Sequence, residues 1–211
     1  MIPTKQQMYD ALAAHCGNDL QNRFAAASVA VCGLGGLGSN VAVSLARAGI
    51  GKLHLIDFDK VDISNLNRQQ YKVTQIGEYK TEALRSNLAE TAPYCEIITD
   101  RVKMDDENIS ALLKNDTFVC EAFDNPESKA MLVNTVLGHF PEKYIVAASG
   151  MSGLHSSNTV LTRRITKHFY VCGDGVSDVE SDGALFAPRV MLCAAHQANM
   201  LLRIIAGLYE I

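Results

Sequence analysis

The hexapeptide Gly33-Leu34-Gly35-Gly36-Leu37-Gly38 constrains this chain more than any other feature, because of what flanks it. An apolar run of β type, Ser28 to Cys32, leads into it, and a segment of helical period, Gly36 to Ala48, begins inside it. In that context a G-x-G-x-x-G string is a strand-to-helix turn able to bring backbone N–H groups up to a phosphate. The alternation then continues. Lys52 to Asp57, Glu96 to Thr99, Thr117 to Glu121 and Tyr144 to Ala148 read as strands, and Glu78 to Thr91, Asp106 to Leu113 and Pro126 to His139 as helices. Such a pattern predicts an α/β fold: a Rossmann-like, mostly parallel sheet with helices on both faces. After Ala148 a turn-rich stretch leads to two short runs, Thr159 to Thr162 and His168 to Cys172, which predict antiparallel additions at the C-terminal end. Gly173 to Pro188 reads as a loop, and Arg189 to Leu208 as a long apolar helix buried on most sides, against the sheet or across a subunit interface.

With 211 residues and 48% apolar content, one hydrophobic core is expected to serve the whole chain, with residues 1–27 as an N-terminal helical segment. The formal net charge is −4 and no run of Lys or Arg forms a polybasic tract, which argues against a nucleic-acid partner. Met1 to Gln21 lacks the apolar stretch of a signal peptide or membrane span, so a cytoplasmic protein with no membrane contact is expected. The six cysteines (Cys16, Cys32, Cys95, Cys120, Cys172 and Cys193) are scattered singly, as reduced thiols would be. Neither a Cys-x-x-Cys pair nor a histidine cluster supports a zinc site.

Asp57 closes the second strand roughly 20 residues after the glycine turn, where an acidic side chain accepts hydrogen bonds from a ribose. Both signals indicate an adenosine ligand, and both suit a nicotinamide cofactor as well as a nucleoside triphosphate. The polar segment Asp57 to Gln69 favours the triphosphate. Asn65 and Arg68 are spaced to share one side of a turn, and Lys80 follows, so two cations can converge on one polyphosphate. Taken singly, each is also an ordinary surface residue. Asp124 and Asn125 follow the strand Thr117 to Glu121 at its carboxyl edge, where a carboxylate can hold Mg²⁺ against phosphates. The same pair could equally cap the helix that Pro126 starts.

Together the blocks Gly33 to Ser39, Leu45 to Gly51, Asp57-Phe58-Asp59, Ser64 to Gln69 and Asp124-Asn125 resemble the ThiF/MoeB/HesA family, relatives of the ubiquitin-activating enzymes. The similarity runs from about Ser28 to Ser149, looser towards the C-terminal helix, and is greatest to short ThiF-type proteins of thiamine biosynthesis. What the resemblance implies is ATP and Mg²⁺ binding, a homodimer, and adenylylation of the Gly-Gly tail of a small ubiquitin-like sulfur carrier such as ThiS. By that analogy Gly33, Gly35, Gly36 and Gly38 approach the phosphates, and Asp57 and Asp59 border the ribose. Asn65, Arg68 and Lys80 contact the phosphates, and Asp124 takes the metal with Asn125 beside it. The N-terminus lacks the family's Arg-Tyr-x-Arg-Gln string, leaving Arg23 as the candidate for an arginine acting across a dimer, and the paired Cys-x-x-Cys zinc motifs of many members are missing.

Relatives can link a cysteine in the region of Cys172 covalently to the carrier. Its acidic neighbours Asp174 and Asp178 would raise a thiol's pKa, so a buried structural thiol is the expectation here. Two competing functions share the glycine turn and Asp57: an NAD-dependent oxidoreductase, which leaves Arg68, Lys80 and Asp124 unused, and a non-catalytic nucleotide-binding dimer.

Overall fold

The computed structural model describes residues 2–211, so of the N-terminal segment 1–27 only Met1 lies outside the described residues. That segment forms two helices, α1 (Lys5–Cys16) and α2 (Asn18–Ala26). There follow β1 (Ser28–Cys32), α3 (Gly36–Arg47), β2 (Lys52–Ile56), α4 (Lys80–Thr91), β3 (Glu96–Asp100), α5 (Ile109–Leu112), β4 (Phe118–Glu121), α6 (Pro126–His139) and β5 (Tyr144–Ala148). The chain ends with β6 (Leu161–Arg164), β7 (Phe169–Gly173), a single turn α7 (Val179–Asp182) and α8 (Ala187–Ile205).

The seven strands form one sheet in the order β3-β2-β1-β4-β5-β7-β6. All neighbouring pairs are parallel except β6 with β7, so the antiparallel addition is β6, while β7 continues the parallel register from β5. The period-2 alternation of each strand divides the core between two faces. Val29, Val31, Leu53 and Leu55 point to the face covered by α3, α4 and α8; Ala30, Cys32, Ile56 and Val119 point to the face covered by α5 and α6. Strand order reverses between β1 and β4, and this switch point is where open α/β sheets leave a crevice beyond their carboxyl ends.

Several boundaries moved for local reasons. Helix α5 is one turn rather than Asp106 to Leu113, because Asp105 Oδ1 accepts the N–H groups of Glu107 and Asn108 and competes with helical pairing. Helix α4 starts at Lys80, since Glu78 and Tyr79 pair back to Lys60 and Val61. Within the single chain, Val190, Cys193, Ala194, Gln197 and Leu201 of α8 face the core, whereas Met191 on the opposite side is 47% exposed. Among the described residues, no helix is long and apolar enough to cross a membrane.

One polar cluster braces the sheet. His54 on β2 is buried, with Nδ1 2.8 Å from Asp116 Oδ2 and Nε2 2.8 Å from Asp100 Oδ2. Burial alone would depress its pKa, but the two carboxylates outweigh burial and hold the imidazole above 6.5. A folded-state pKa raised in this way adds stability that is fully present below pH 6.5 and is lost as pH rises through the raised value. The urea midpoint should therefore fall between pH 6 and pH 9, and His54→Gln should flatten that fall. An unchanged slope in the variant would show that other groups carry it.

Candidate functional site

The crevice at the switch point is a cleft of about 510 Å³. Its centre is the glycine turn. The N–H groups of Gly35, Gly36 and Leu37, all lining the cleft, make no backbone hydrogen bond among the described residues. They are the orphan donors at the start of α3, a twelve-residue helix whose dipole favours an anion at that end. Gly38 serves packing instead: a Cβ there would lie 1.8 Å from Gly33 O, so it lets α3 sit on the end of β1 and does not itself line the cleft. Gly36 leaves room for the stem of Arg68, whose Cγ would be 3.3 Å from an added Cβ.

Asp57 holds the turn in shape. Its Oδ2 accepts the Leu34 N–H at 2.6 Å and its Oδ1 the Asp59 N–H at 2.7 Å. Burial raises its pKa, against the pull of Lys80 and these two bonds. Lys80 is the first residue of α4 and 6% exposed, an unfavourable place for a cation because it adds to the positive end of the helix dipole. Asp59 offsets this, with Lys80 Nζ 2.8 Å from its Oδ2, and leaves the ammonium two further protons to donate. Arg68 anchors one end of its fork on Ser64 O (3.1 Å) and Asn67 Oδ1 (2.8 Å), while its buried Nε has no partner.

The cleft thus gathers Gly33, Gly35, Gly36, Asp57, Asp59, Arg68, Lys80, Asp124 and Asn125. Asn65 is not among them: its carboxamide closes a capping box with Asp62, accepting the Asp62 N–H at 3.0 Å, and so turns away from Arg68. Asn125 lines the cleft and also caps α6, accepting the Ser128 N–H at 3.0 Å. Asp124 does no capping, and its carboxylate accepts no hydrogen bond among the described residues. No group of three or more metal-binding side chains gathers among those residues. That donor set suits Mg²⁺, which is commonly held by one or two carboxylates plus substrate phosphates rather than by a protein cage.

Cys172 lies elsewhere. It is fully buried beside Thr162 and Cys193, and its thiol is pushed up to about 11. Burial is the cause, rather than the neighbouring aspartates. Arg23 does not face the cleft of its own chain either; it donates to Ala206 O at 2.9 Å and closes the end of α8.

The sequence reading passed over Glu121 and Lys129. Glu121 ends β4 fully buried, and burial raises its pKa. Lys129, on the first turns of α6, reaches both its oxygens at 3.1 Å and Ala148 O at 3.0 Å, while lining the cleft. Glu121 also accepts the Phe123 N–H at 2.7 Å, so the pair fixes the turn that presents Asp124. The available signal was a carboxylate closing an apolar strand, followed by a cation within the next helix.

A mostly parallel sheet, with a glycine turn at its switch point and two cations beside a carboxylate in one cleft, defines an α/β protein of the Rossmann-like class. The chain belongs to the ThiF family, whose model matches residues 9–211. It is 30% identical over 186 residues to the molybdopterin-synthase adenylyltransferase of Salmonella typhimurium, an alignment covering 85% of this chain and 73% of that one. Over 92 residues it is 46% identical to ubiquitin-like modifier-activating enzyme 5 of Caenorhabditis elegans, covering 44% of this chain and 21% of that one. Among solved structures, Escherichia coli tRNA N6-threonylcarbamoyladenosine dehydratase, TcdA, in complex with AMP superposes with a TM-score of 0.87 at 20% identity over 98% of both chains. Escherichia coli MccB with ATP gives 0.73 at 20% identity, over 96% of this chain and 64% of that one.

Lys129→Met would leave the fully buried Glu121 without its counter-charge, at a cost of about 3–5 kcal/mol. The double variant Glu121→Gln/Lys129→Met should regain most of that. A double-mutant cycle from urea unfolding checks it, and additive losses would mean that the two side chains do not act as a pair.

Proposed function

We propose that this protein activates the C-terminal glycine carboxylate of a small ubiquitin-like sulfur carrier as its acyl-adenylate, using ATP. The observation that carries the reading is the convergence of Arg68 and Lys80 with the unpaired N–H groups of α3 in one cleft beside Asp57. A dinucleotide needs the glycine turn and the acid; paired cations at one point answer a triphosphate. Relatives named adenylyltransferases support the same chemistry, whereas the likeness to TcdA, at 20% identity, is a likeness of fold.

In the proposed reaction a carrier carboxylate oxygen attacks the α-phosphorus, the bond to the β-phosphate oxygen breaks, and pyrophosphate leaves. The carboxylate is already ionised at pH 7, so the step requires no protein nucleophile or general base. The chain's work is to position and neutralise. Gly33, Gly35 and Gly36 bring backbone to the phosphates and Asp57 holds the ribose. Arg68 and Lys80 counter charge building on phosphoryl oxygens. Asp124, with Asn125 alongside, would hold Mg²⁺, which when bound supplies charge neutralisation for the departing pyrophosphate. We further propose that the chain acts as a single adenylating domain in a cytoplasmic homodimer, and that the pathway is thiamine thiazole synthesis.

With a purified Gly-Gly-ending carrier, the protein should exchange labelled pyrophosphate into ATP. Arg68→Ala should lower that exchange by about 10²–10³-fold, as loss of comparable electrostatic groups does; near-normal exchange would remove Arg68 from the assignment. ATP should also raise the unfolding temperature more than NAD does, and the opposite order would favour the oxidoreductase reading.

A further inference from the structure

The strand order divides the cleft. Residues beyond β2 and β1, namely Asp57, Asp59 and the glycine turn, line one side, and those beyond β5 and β7 line the other, with the exit of β4 between them. On the proposed reading the nucleotide takes the first side, which leaves the second for the acceptor. That second wall consists of Ser149, Gly150, Met151 and Ser152 beyond β5 and of Ser177 and Asp178 from the loop beyond β7.

This wall is held rigidly from behind. The two segments are stitched backbone to backbone, Asp174 N–H to Gly150 O and Gly175 N–H to Ser149 O, both at 2.9 Å. Asp174 Oδ1 accepts the N–H groups of Val176 and Ser177 at 2.9 and 2.8 Å, and Ser177 Oγ accepts the Ser152 N–H at 3.1 Å. Behind the wall the buried Arg189 donates to Asp174 Oδ2 at 2.6 Å and to the carbonyls of His155 and Ser156. Burial works against the Asp174 charge, but the Ser177 and Val176 N–H groups and Arg189 outweigh it and hold this carboxyl below the usual range.

Within this network two side-chain atoms lack a hydrogen-bond partner among the described residues, Arg189 Nε and Ser152 Oγ, and of the two residues only Ser152, 2% exposed, lines the cleft. A buried hydroxyl left in that state carries a desolvation cost that an incoming polar group would relieve. The charges of the wall narrow the class of that group. The terminal nitrogens of Arg189 and Arg163 are engaged by Asp174 and by backbone carbonyls, Arg189 stands behind the wall rather than in the cleft lining, and Lys129 is engaged by Glu121 and Ala148 O. Asp178 lines the wall, with Glu180 and Asp182 beyond it. Such a surface offers hydroxyl and backbone groups under an acidic lip, which suits an uncharged peptide segment and opposes a polyanion.

We infer that Ser152 is a specificity-determining residue whose hydroxyl hydrogen-bonds the peptide group next to the acceptor's terminal carboxylate, in a subsite that takes a neutral peptide end rather than a nucleic acid. This rests on the adenylating reading, and the test separates the two. The probe is 5′-O-(glycylglycylsulfamoyl)adenosine, a stable stand-in for an acyl-adenylate that needs no carrier and no turnover, compared with AMP by calorimetric titration.

The intact protein should bind the probe more tightly than AMP. If it does not, the adenylating reading itself fails. Ser152→Ala should weaken the probe by roughly tenfold while leaving AMP affinity and the unfolding temperature unchanged, because the hydroxyl it removes supports nothing in the fold. Equal probe affinity in the variant would overturn the inference and leave the adenylating reading standing. A parallel loss for AMP would put the hydroxyl on the nucleotide, and a lowered unfolding temperature would make it a structural group; either result would also overturn the inference. Displacement of the probe by transfer RNA at low salt would assign the wall to a nucleic acid instead.

Discussion

The closeness of α3 to the end of β1 is the constraint on which the rest of this structure depends. Gly38 permits it sterically, since any side chain there would overlap Gly33 O. Asp57 then holds the intervening turn through the Leu34 N–H, and that bond joins the exits of two neighbouring strands, β1 and β2. Two consequences follow from one contact. Helix α3 lies against both the sheet and α8, forming part of the larger core cluster, and its first N–H groups are left open at the sheet's carboxyl edge. Fold and anion site are the same piece of backbone.

Around that edge, charges stand in pairs with at least one partner buried in each. Lys80 with Asp59, Lys129 with Glu121 and Arg189 with Asp174 each join a strand exit to the helix beside it. Buried ion pairs contribute little net stability, because desolvation consumes most of their attraction. Their value here is geometric. Each pair fixes a loop that a purely apolar contact would leave free to slide, and the loops so fixed carry Asp59, Asp124 and Ser177 into the cleft.

What was legible in the sequence follows the range of the interactions concerned. Continuous apolar runs such as Val29 to Cys32 and Ile145 to Ala148 report burial directly, so their strands lie where the pattern placed them. The glycine turn, Asp57 and Lys80 were legible because the fold class dictates where strand exits go. Asn65 was misplaced because spacing on a turn says nothing about local capping, and Asp62 claims that carboxamide three residues away. Helix α5 shrank for a similar reason at Asp105. Glu121 with Lys129 left only the signal of a carboxylate closing an apolar strand, and Asp174 with Arg189 left none, because each pair forms only when separate elements pack.

Cys172 shows how the same geometry divides chemistry within the molecule. It occupies the last turn of the parallel register, level with Ala148, and is walled off by Thr162 and Cys193. Burial pushes this thiol up to about 11, which favours the protonated form at neutral pH over the nucleophilic thiolate. One residue further, the chain crosses from core to cleft wall, where Gly173 O and Asp174 O receive Arg163. The ion pairs that border the cleft thus stand at the carboxyl edge of the sheet, while Cys172 lies beneath it. The proposed step, which joins a carboxylate to a nucleotide, would need only the edge: fixed cations, open N–H groups and a rigid wall to order the second reactant, so that the rate would come from placement rather than from a reactive side chain.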